Sequence, residues 1–431
     1  MKLHTGNLYW PTTLHVEPLP KPERKKYYDC LIVGGGISGL LVAYKLIGQN
    51  LSVALLERHE VAQGSTAANT GLLQYANDRI LSEFIQQIGE DDAVSFYQLC
   101  YAALDELEKV AHHLPEHADF VRRPSIYFAS SDEHIQKVRN EYEALKKHQF
   151  NVQLWDEQLI QQNGFQGSKA ALISEGDAEV NPYKLTNYLA AFLVEKGLHI
   201  FEQTDVVDVQ NETEQLEDEA IAKGMQEQIV VHTTNGTYTT GKIIYTTGYT
   251  SPPYDEVNGA LVNRSYVVVS EPLEETQNWY RNALIWESAS PYLYLRFTAD
   301  NRMIIGGRDE ETETPSFNLQ KIEDRANQLI EDAKQYIPNL KISPRFSYCA
   351  SFGESTYDLP FIGEHPEQKN HYYLLGFGGN GTVYSMIGAN IICDLITKNK
   401  NAHSHLFKFS TKNLKIPKLN MLFPSIIDIS N

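Results

Sequence analysis

Cysteine is scarce in this chain of 431 residues, which contains four cysteines and no Cys-x-x-Cys pair. Cys30, Cys100, Cys349 and Cys393 lie far apart, which speaks against a disulfide scaffold, a zinc ribbon or a dithiol redox site. Basic residues are also few, because 37 lysines and arginines oppose 55 acidic residues for a net charge of −18. An acidic surface repels nucleic-acid phosphates and anionic lipid headgroups. The sequence therefore predicts no nucleic-acid partner and no metal site, and it favours a reducing cytoplasm.

Long hydrophobic runs are missing as well. The longest, Cys30 to Ile47, contains four glycines and Lys45, which is typical of a strand, turn and helix rather than a membrane span. Residues 1–28 are polar and proline-rich without the apolar core of a signal peptide, and we interpret them as an N-terminal arm. The sequence thus predicts no integral membrane segment. Its length indicates more than one domain, and its composition is that of a globular protein.

A compact βαβ unit follows the arm. Asp29–Val33 is a short apolar strand, Gly34–Gly39 contains a Gly-x-Gly-x-x-Gly motif, and Leu40–Gly48 has helical spacing. Leu51–Leu56 is a second apolar strand, and it ends at Glu57. This order of strand, glycines, helix, strand and acid is typical of dinucleotide binding, whereas glycines alone would fit a structural turn. A carboxylate at Glu57 suits ribose hydroxyls and would repel a 2′-phosphate, which leaves NAD or FAD.

Each glycine of the motif has its own physical reason. Gly34 permits a tight turn, Gly36 lets the backbone approach a pyrophosphate, and Gly39 lets helix and strand pack closely. The helix amino terminus then faces the phosphates.

Two further glycine-rich segments have no place in a simple βαβ unit. Gly64–Leu73 is rich in small hydroxyl residues and could approach a phosphate or a flat ring, or it could merely cap a helix through Ser65 or Thr66. Leu374–Gly381 leads into a predicted helix, Thr382–Ile396, whose amino terminus suits an anion or an electron-rich carbonyl. Residues 262–308 alternate and are rich in Tyr, Val and Ile, which predicts an antiparallel sheet.

The order of these motifs resembles the FAD-dependent oxidoreductases of the D-amino-acid oxidase, glycine oxidase and sarcosine oxidase family. Tyr9-Trp10 and Phe352–Ser355 are similar to features of its gamma-glutamylputrescine oxidase-like branch. The resemblance is carried by Val33–Gly39, Glu57-Arg58, Gly64–Leu73, Tyr245–Gly248, Asp358–Gly363 and Gly376–Thr382.

The resemblance implies an α/β fold with a Rossmann-like FAD-binding domain of the glutathione-reductase type and an α+β substrate domain with an antiparallel sheet. We expect the FAD-binding domain to comprise 29–80, 171–250 and 350–398, and the substrate domain 81–170 and 251–349. We expect residues 399–431 to form a C-terminal tail, and we expect its segment from Thr411 onward to dock on the acidic body.

Noncovalent FAD is the implied cofactor. The implied FAD contacts lie in the βαβ unit and in the other glycine-rich segments: Gly34, Gly36, Ile37, Ser38, Gly39, Glu57, Arg58, Ser65, Thr66, Asn69, Gly71, Leu72, Val206, Val207, Thr247, Gly248, Gly378, Gly379, Asn380, Gly381 and Thr382. Cys349 lies near a place where some relatives attach their flavin, but a buried, unreactive thiol is the favoured interpretation.

The substrate end departs from the family pattern. Glycine oxidase-like relatives hold a substrate carboxylate with arginines at positions that correspond to Phe352 and about Gly379 here. This favours an amine, such as a polyamine, over an amino acid. Tyr292 and Arg296 are the candidate substrate contacts, although a structural ion pair is the favoured interpretation of Arg296.

The implied reaction is oxidation of a C–N bond by hydride transfer to flavin N5, followed by hydrolysis of the imine. Arg302–Gly306 lacks the oxygen-activating lysine of sarcosine oxidases. The sequence therefore does not distinguish oxygen from another carrier as the electron acceptor. Alternatives are a dehydrogenase with a non-oxygen acceptor and a flavin-binding subunit without turnover.

Overall fold

A computed structural model describes residues 3–213, 215–248, 260–273, 279–312, 317–355 and 358–407. The strands in this part of the chain are β1 (His4–Gly6), β2 (Cys30–Val33), β3 (Val53–Leu56), β4 (Leu72–Leu73), β5 (Val121–Phe128), β6 (Val152–Asp156), β7 (Ala170–Glu179), β8 (His199–Phe201), β9 (Val206–Glu212), β10 (Gln228–Thr233), β11 (Gly236–Thr240), β12 (Ile243–Tyr245), β13 (Ala260–Ser270), β14 (Leu284–Glu287), β15 (Tyr294–Phe297), β16 (Met303–Glu311), β17 (Pro344–Ser355), β18 (Phe361–Glu364) and β19 (His371–Leu375). The helices are α1 (Ile37–Ile47), α2 (Ser65–Ala68), α3 (Leu81–Ile88), α4 (Glu90–His112), α5 (Ile135–Lys147), α6 (Glu157–Gln162), α7 (Pro182–Glu195), α8 (Asp218–Ala222), α9 (Leu319–Ala333) and α10 (Gly381–Ile396).

A six-stranded sheet forms the nucleotide-binding layer, in the order β18-β19-β12-β2-β3-β8. All neighbours pair in parallel except β18 and β19. Every residue of β2 and β3 is buried, as expected for apolar strands covered on both faces. On one face α1 packs against α10 and α7, and on the other lies the three-stranded sheet β11-β10-β9. The predicted Rossmann-like layer is therefore confirmed.

A ten-stranded sheet forms the second layer, in the order β1-β17-β13-β16-β15-β14-β5-β7-β4, with β6 beside β7. Its pairs are antiparallel except for β14 and β5. Helix α9 packs on β13, β16 and β17, and it buries a separate apolar core there. The predicted antiparallel sheet is confirmed, and the arm contributes its edge strand β1.

The predicted division into domains stays a prediction. Two of its boundaries fall inside strands, because β7 spans position 171 and β17 spans position 350. Both strands belong to the ten-stranded sheet. The predicted tail 399–431 is described only to residue 407. No helix within the described ranges has the length and apolar character needed to cross a membrane.

Candidate active site

A cavity of about 830 Å³ lies where the carboxyl ends of the parallel strands meet the ten-stranded sheet. Val33 and Leu56, at the ends of β2 and β3, line it, as do Thr246–Gly248 directly after β12. Its opposite wall includes residues of β13, β15 and β17. Ligands of open parallel sheets bind at this edge.

The glycine turn after β2 forms one end of the cavity. Gly34 has a φ of +116°, and a Cβ there would lie 2.6 Å from the Thr246 carbonyl oxygen. Gly36 is the N-cap of α1, and the Ile37 N–H donates to Thr66 Oγ1 at 3.2 Å. A Cβ on Gly39 would lie 2.0 Å from the Gly34 carbonyl oxygen, so close packing requires a glycine. The amino terminus of α1 thus opens onto the cavity beside the Thr66 hydroxyl, which suits a pyrophosphate.

Glu57 is held rigidly at the end of β3. Its Oε2 accepts from the Gly35 N–H at 2.7 Å, and its Oε1 accepts from the His59 N–H at 2.8 Å. Two backbone donors leave further lone pairs on the carboxylate for hydroxyl donors. Glu57 and Arg58 both line the cavity, which fits a ribose bound at this end.

The segment around α2 forms the second wall. The Ser65 hydroxyl is buried and makes no hydrogen bond to the described residues, so it suits a polar ligand atom. Asn69 shapes the following turn, because its Oδ1 accepts from the Gly71 N–H at 2.9 Å. Trp10 of the arm donates from Nε1 to the Asn69 carbonyl at 2.6 Å. The arm therefore supports the wall of the site.

The last glycine-rich turn leads into α10 at the other end of the cavity. Asn380 Nδ2 donates to the Gln74 carbonyl at 2.7 Å, and the Tyr384 hydroxyl donates to Asn77 Oδ1 at 2.6 Å. The hydroxyls of Ser38 and Ser385 meet at 2.7 Å and connect α1 to α10. Two helix amino termini are thus fixed around one cavity.

The structure brings the predicted cofactor residues together. Apart from Gly39, all of them line the cavity: Gly34, Gly36, Ile37, Ser38, Glu57, Arg58, Ser65, Thr66, Asn69, Gly71, Leu72, Val206, Val207, Thr247, Gly248, Gly378, Gly379, Asn380, Gly381 and Thr382. The cradle, the buried hydroxyl and the fixed carboxylate fit FAD. The individual contacts remain predictions.

Arg296 requires a correction, because its guanidinium does not reach the cavity. It donates to the Thr70, Phe297 and Val180 carbonyls at 2.7–2.9 Å, and it lies 3.5 Å from Glu179 Oε2. Alternation along β15 places it on the same face as Tyr294, but the chain at residues 70–71 covers it. The interpretation as a structural ion pair is the correct one.

Tyr292 does line the cavity, beside a carboxylate that the sequence analysis missed. Asp78 accepts from the Tyr292 hydroxyl at 2.8 Å and from the Gly379 N–H at 3.1 Å. The surrounding protein desolvates this carboxyl and raises its pKa. Asp78 lies in a turn after β4 and belongs to no motif, so no local signal marked it.

The charged side chains that line the cavity are mostly acidic. Among the described lining residues Arg58 is the one arginine, no lysine is present, and Glu57, Asp78, Asp205 and Asp309 are acidic. Phe352 lines the cavity, whereas Cys349 is buried in the core beneath α9 with Tyr266 and Ile305. The position of Cys349 supports noncovalent FAD.

The fold and the cavity together define a dinucleotide-binding oxidoreductase with a separate substrate sheet. A sequence model of the DAO family, described as FAD dependent oxidoreductase, matches residues 29–395. The chain therefore belongs to this family of FAD-dependent oxidoreductases.

Three similar proteins illustrate the family. A putative Rieske 2Fe-2S iron-sulfur protein, YhfW of Bacillus subtilis, is 25% identical over 93% of this chain and 74% of its own. Gamma-glutamylputrescine oxidoreductase of Escherichia coli is 21% identical over 92% of this chain and 90% of its own. The crystal structure of glycine oxidase from Geobacillus kaustophilus has a TM-score of 0.72 at 18% identity, covering 88% of this chain and 96% of that one. At this identity the last comparison shows the fold alone.

Proposed function

We propose that this chain oxidises a C–N bond in an amine that carries no α-carboxylate. The observation that carries the proposal is the charge of the cavity wall. Phe352 and Gly379, which the family resemblance aligns with carboxylate-binding arginines, line the cavity and carry no cationic side chain, and Asp78 and Asp309 in the same lining are acidic. A substrate carboxylate would meet like charges there, whereas an amine would not.

FAD, when bound, supplies a two-electron acceptor for the C–H bond next to nitrogen. The carbon loses its hydrogen with the bonding pair, nitrogen loses a proton, and a C=N bond forms. Water then adds to this imine, and the carbonyl product and ammonia or a smaller amine separate.

The chain's own residues prepare the substrate for this reaction. Val267, Trp286 and Phe352 contribute apolar surface to the substrate-sheet wall of the cavity. Removing water from an amine disfavours its ammonium form, and the neutral amine is the form that can lose a hydride. The wall therefore binds, orients and desolvates the reacting end of the substrate.

The second candidate function is that of a dehydrogenase, in which the reduced flavin passes its electrons to an acceptor other than oxygen. The segment Met303–Glu311 contains no lysine, and none lines the cavity among the described residues. This favours an acceptor other than oxygen.

Matched pairs of substrates test the proposal. The FAD-loaded protein is titrated anaerobically with putrescine and cadaverine, and with their carboxylated counterparts ornithine and lysine. We expect the diamines to bleach the flavin absorption and the amino acids to leave it unchanged. Air is then admitted, and fast reoxidation indicates an oxidase, whereas slow reoxidation indicates a dehydrogenase.

Two results would contradict the proposal. Bleaching by ornithine and lysine alone would mean that another group holds the α-carboxylate. Failure of every amine and amino acid to bleach the flavin would favour a flavin-binding subunit without turnover.

A further inference from the structure

Asp78 lies where the substrate sheet meets the last glycine-rich turn. Tyr292 approaches it from the segment before β15, and the Gly379 N–H approaches it from the turn before α10. A carboxylate offers about four lone-pair positions, and these contacts use two. The remaining positions are available to a ligand in the cavity that Asp78 lines.

Gly379 makes room for this carboxylate. A Cβ at Gly379 would lie 2.9 Å from Asp78 Oδ1 and 3.0 Å from the Tyr292 hydroxyl. A larger side chain at this position would therefore displace both groups. A carboxylate therefore lies directly against the Gly379 backbone, and it favours a cationic group in a ligand bound at this place.

Aromatic rings line the same region. The Trp286 and Tyr292 ring centroids lie 6.3 Å apart in an edge arrangement, and the Tyr292 and Tyr294 centroids lie 5.6 Å apart. All three side chains line the cavity. Aromatic faces beside a carboxylate attract an ammonium through their quadrupoles.

The reacting nitrogen is a poor partner for Asp78. A carboxylate in contact with an amine stabilises the ammonium form, and the ammonium form cannot lose a hydride. A second nitrogen, distant from the reacting carbon, can remain protonated throughout. We propose that Asp78 binds a second ammonium group of the substrate, which makes the substrate a diamine or a longer polyamine. This inference rests on the proposed function.

The test compares chains of equal length with one or two nitrogens, using the holoenzyme. Dissociation constants for cadaverine and pentylamine are measured from the change in the bound flavin's spectrum, together with the limiting rate of flavin reduction. The wild-type protein is expected to bind cadaverine at least about tenfold more tightly. Asp78→Asn removes the charge and is expected to raise the dissociation constant for cadaverine by about 10- to 100-fold. The dissociation constant for pentylamine is expected to change by no more than about twofold.

Two further variants separate a specific loss from a general one. Asp78→Glu keeps the charge and is expected to retain the preference for cadaverine. Asp324→Asn removes an exposed carboxylate that accepts from Gln320, and it is expected to bind both amines like the wild type. FAD content and melting temperature show whether each variant is folded.

An unchanged preference for cadaverine in Asp78→Asn would overturn the inference, as would equal binding of both amines by the wild type. Failure of the proposed function has a different signature. In that case no amine reduces the flavin, while the dissociation constants still report whether Asp78 selects a second charge.

Discussion

Asp177 on β7 is a buried carboxyl that anchors one wall of the active site. Its Oδ1 accepts from the Tyr75 N–H at 2.8 Å, and Ser174 donates to its Oδ2 at 3.4 Å. The bond to Tyr75 fixes the backbone of the segment that continues to Asp78. Burial raises the pKa of Asp177 to about 7 despite these donors.

The stability of the protein should depend on this proton. In the unfolded chain an aspartate titrates near about 4, so between about pH 4 and pH 7 the folded protein binds a proton that the unfolded chain has released. The free energy of unfolding therefore falls as the pH rises through this window. The full effect, reached above pH 7, is about 4 kcal/mol at 1.36 kcal/mol per unit of pKa.

Asp177→Asn removes the titration and keeps the shape, because an amide presents one acceptor and a donor as the protonated acid does. We expect the variant to match the wild type near pH 4 and to be more stable by up to about 4 kcal/mol at pH 8. Urea unfolding of both proteins with saturating FAD, followed by circular dichroism, measures this difference. Asp324→Asn provides the control for loss of one negative charge.

An equal difference between variant and wild type at both pH values would refute the reasoning, since it would mean that Asp177 does not titrate on folding. A variant less stable at pH 8 would mean that Asp177 is stabilised as the carboxylate.

Two more predictions concern the cofactor and the buried arginine. Glu57→Gln should raise the dissociation constant for FAD by about 10- to 100-fold, because an amide loses the charge-assisted acceptor, and fluorescence titration of the apoprotein measures it. Glu60→Gln, on an exposed neighbour, is the matched control, and equal affinity in the two variants would count against a ribose contact at Glu57. Arg296→Gln should lower the free energy of unfolding by about 3 kcal/mol, because the Thr70, Phe297 and Val180 carbonyls lose their donor, whereas Glu179 keeps its ion pair with Arg123. The ratio of the cadaverine affinity to the pentylamine affinity should remain that of the wild type in this variant. Weaker binding of only one of the two amines would mean that Arg296 contacts the substrate.

Local patterns predicted much of the nucleotide-binding layer. The run of β2, glycine turn, α1 and β3 is contiguous, so periodicity and glycine spacing were sufficient to predict these elements and their order. The start of the helix was less exact, because α1 begins at Ile37 rather than Leu40. The run Asn181-Pro182-Tyr183-Lys184 likewise predicts the start of a helix, and Asn181 is the N-cap of α7, where its Oδ1 accepts from the Lys184 N–H at 3.0 Å. Apolar spacing over residues 79–112 predicts helical structure throughout, whereas Gly89 with a φ of +91° separates α3 from α4.

The substrate end could not be predicted because its contacts join distant parts of the chain. Asp78 and Gly379 are separated by 301 positions, and Asp78 and Tyr292 by 214. Arg296 was a reasonable candidate on its strand, but its partners at Thr70 and Val180 come from other segments. Only the packing of the two layers decides which polar groups face the cavity and which are enclosed.

The carboxylates that line the cavity and the net charge of the protein favour the same kind of substrate. The amino terminus of α1 brings partial positive charge to the region that suits phosphates, whereas the Gly379 N–H before α10 is bound to the Asp78 carboxylate. Asp78 and Asp309 make the substrate end negative. A net charge of −18 extends the same preference to the surface, where it attracts polyamine cations from solution and repels carboxylates. Selection of a cationic amine therefore begins at long range and is completed by the contact at Asp78.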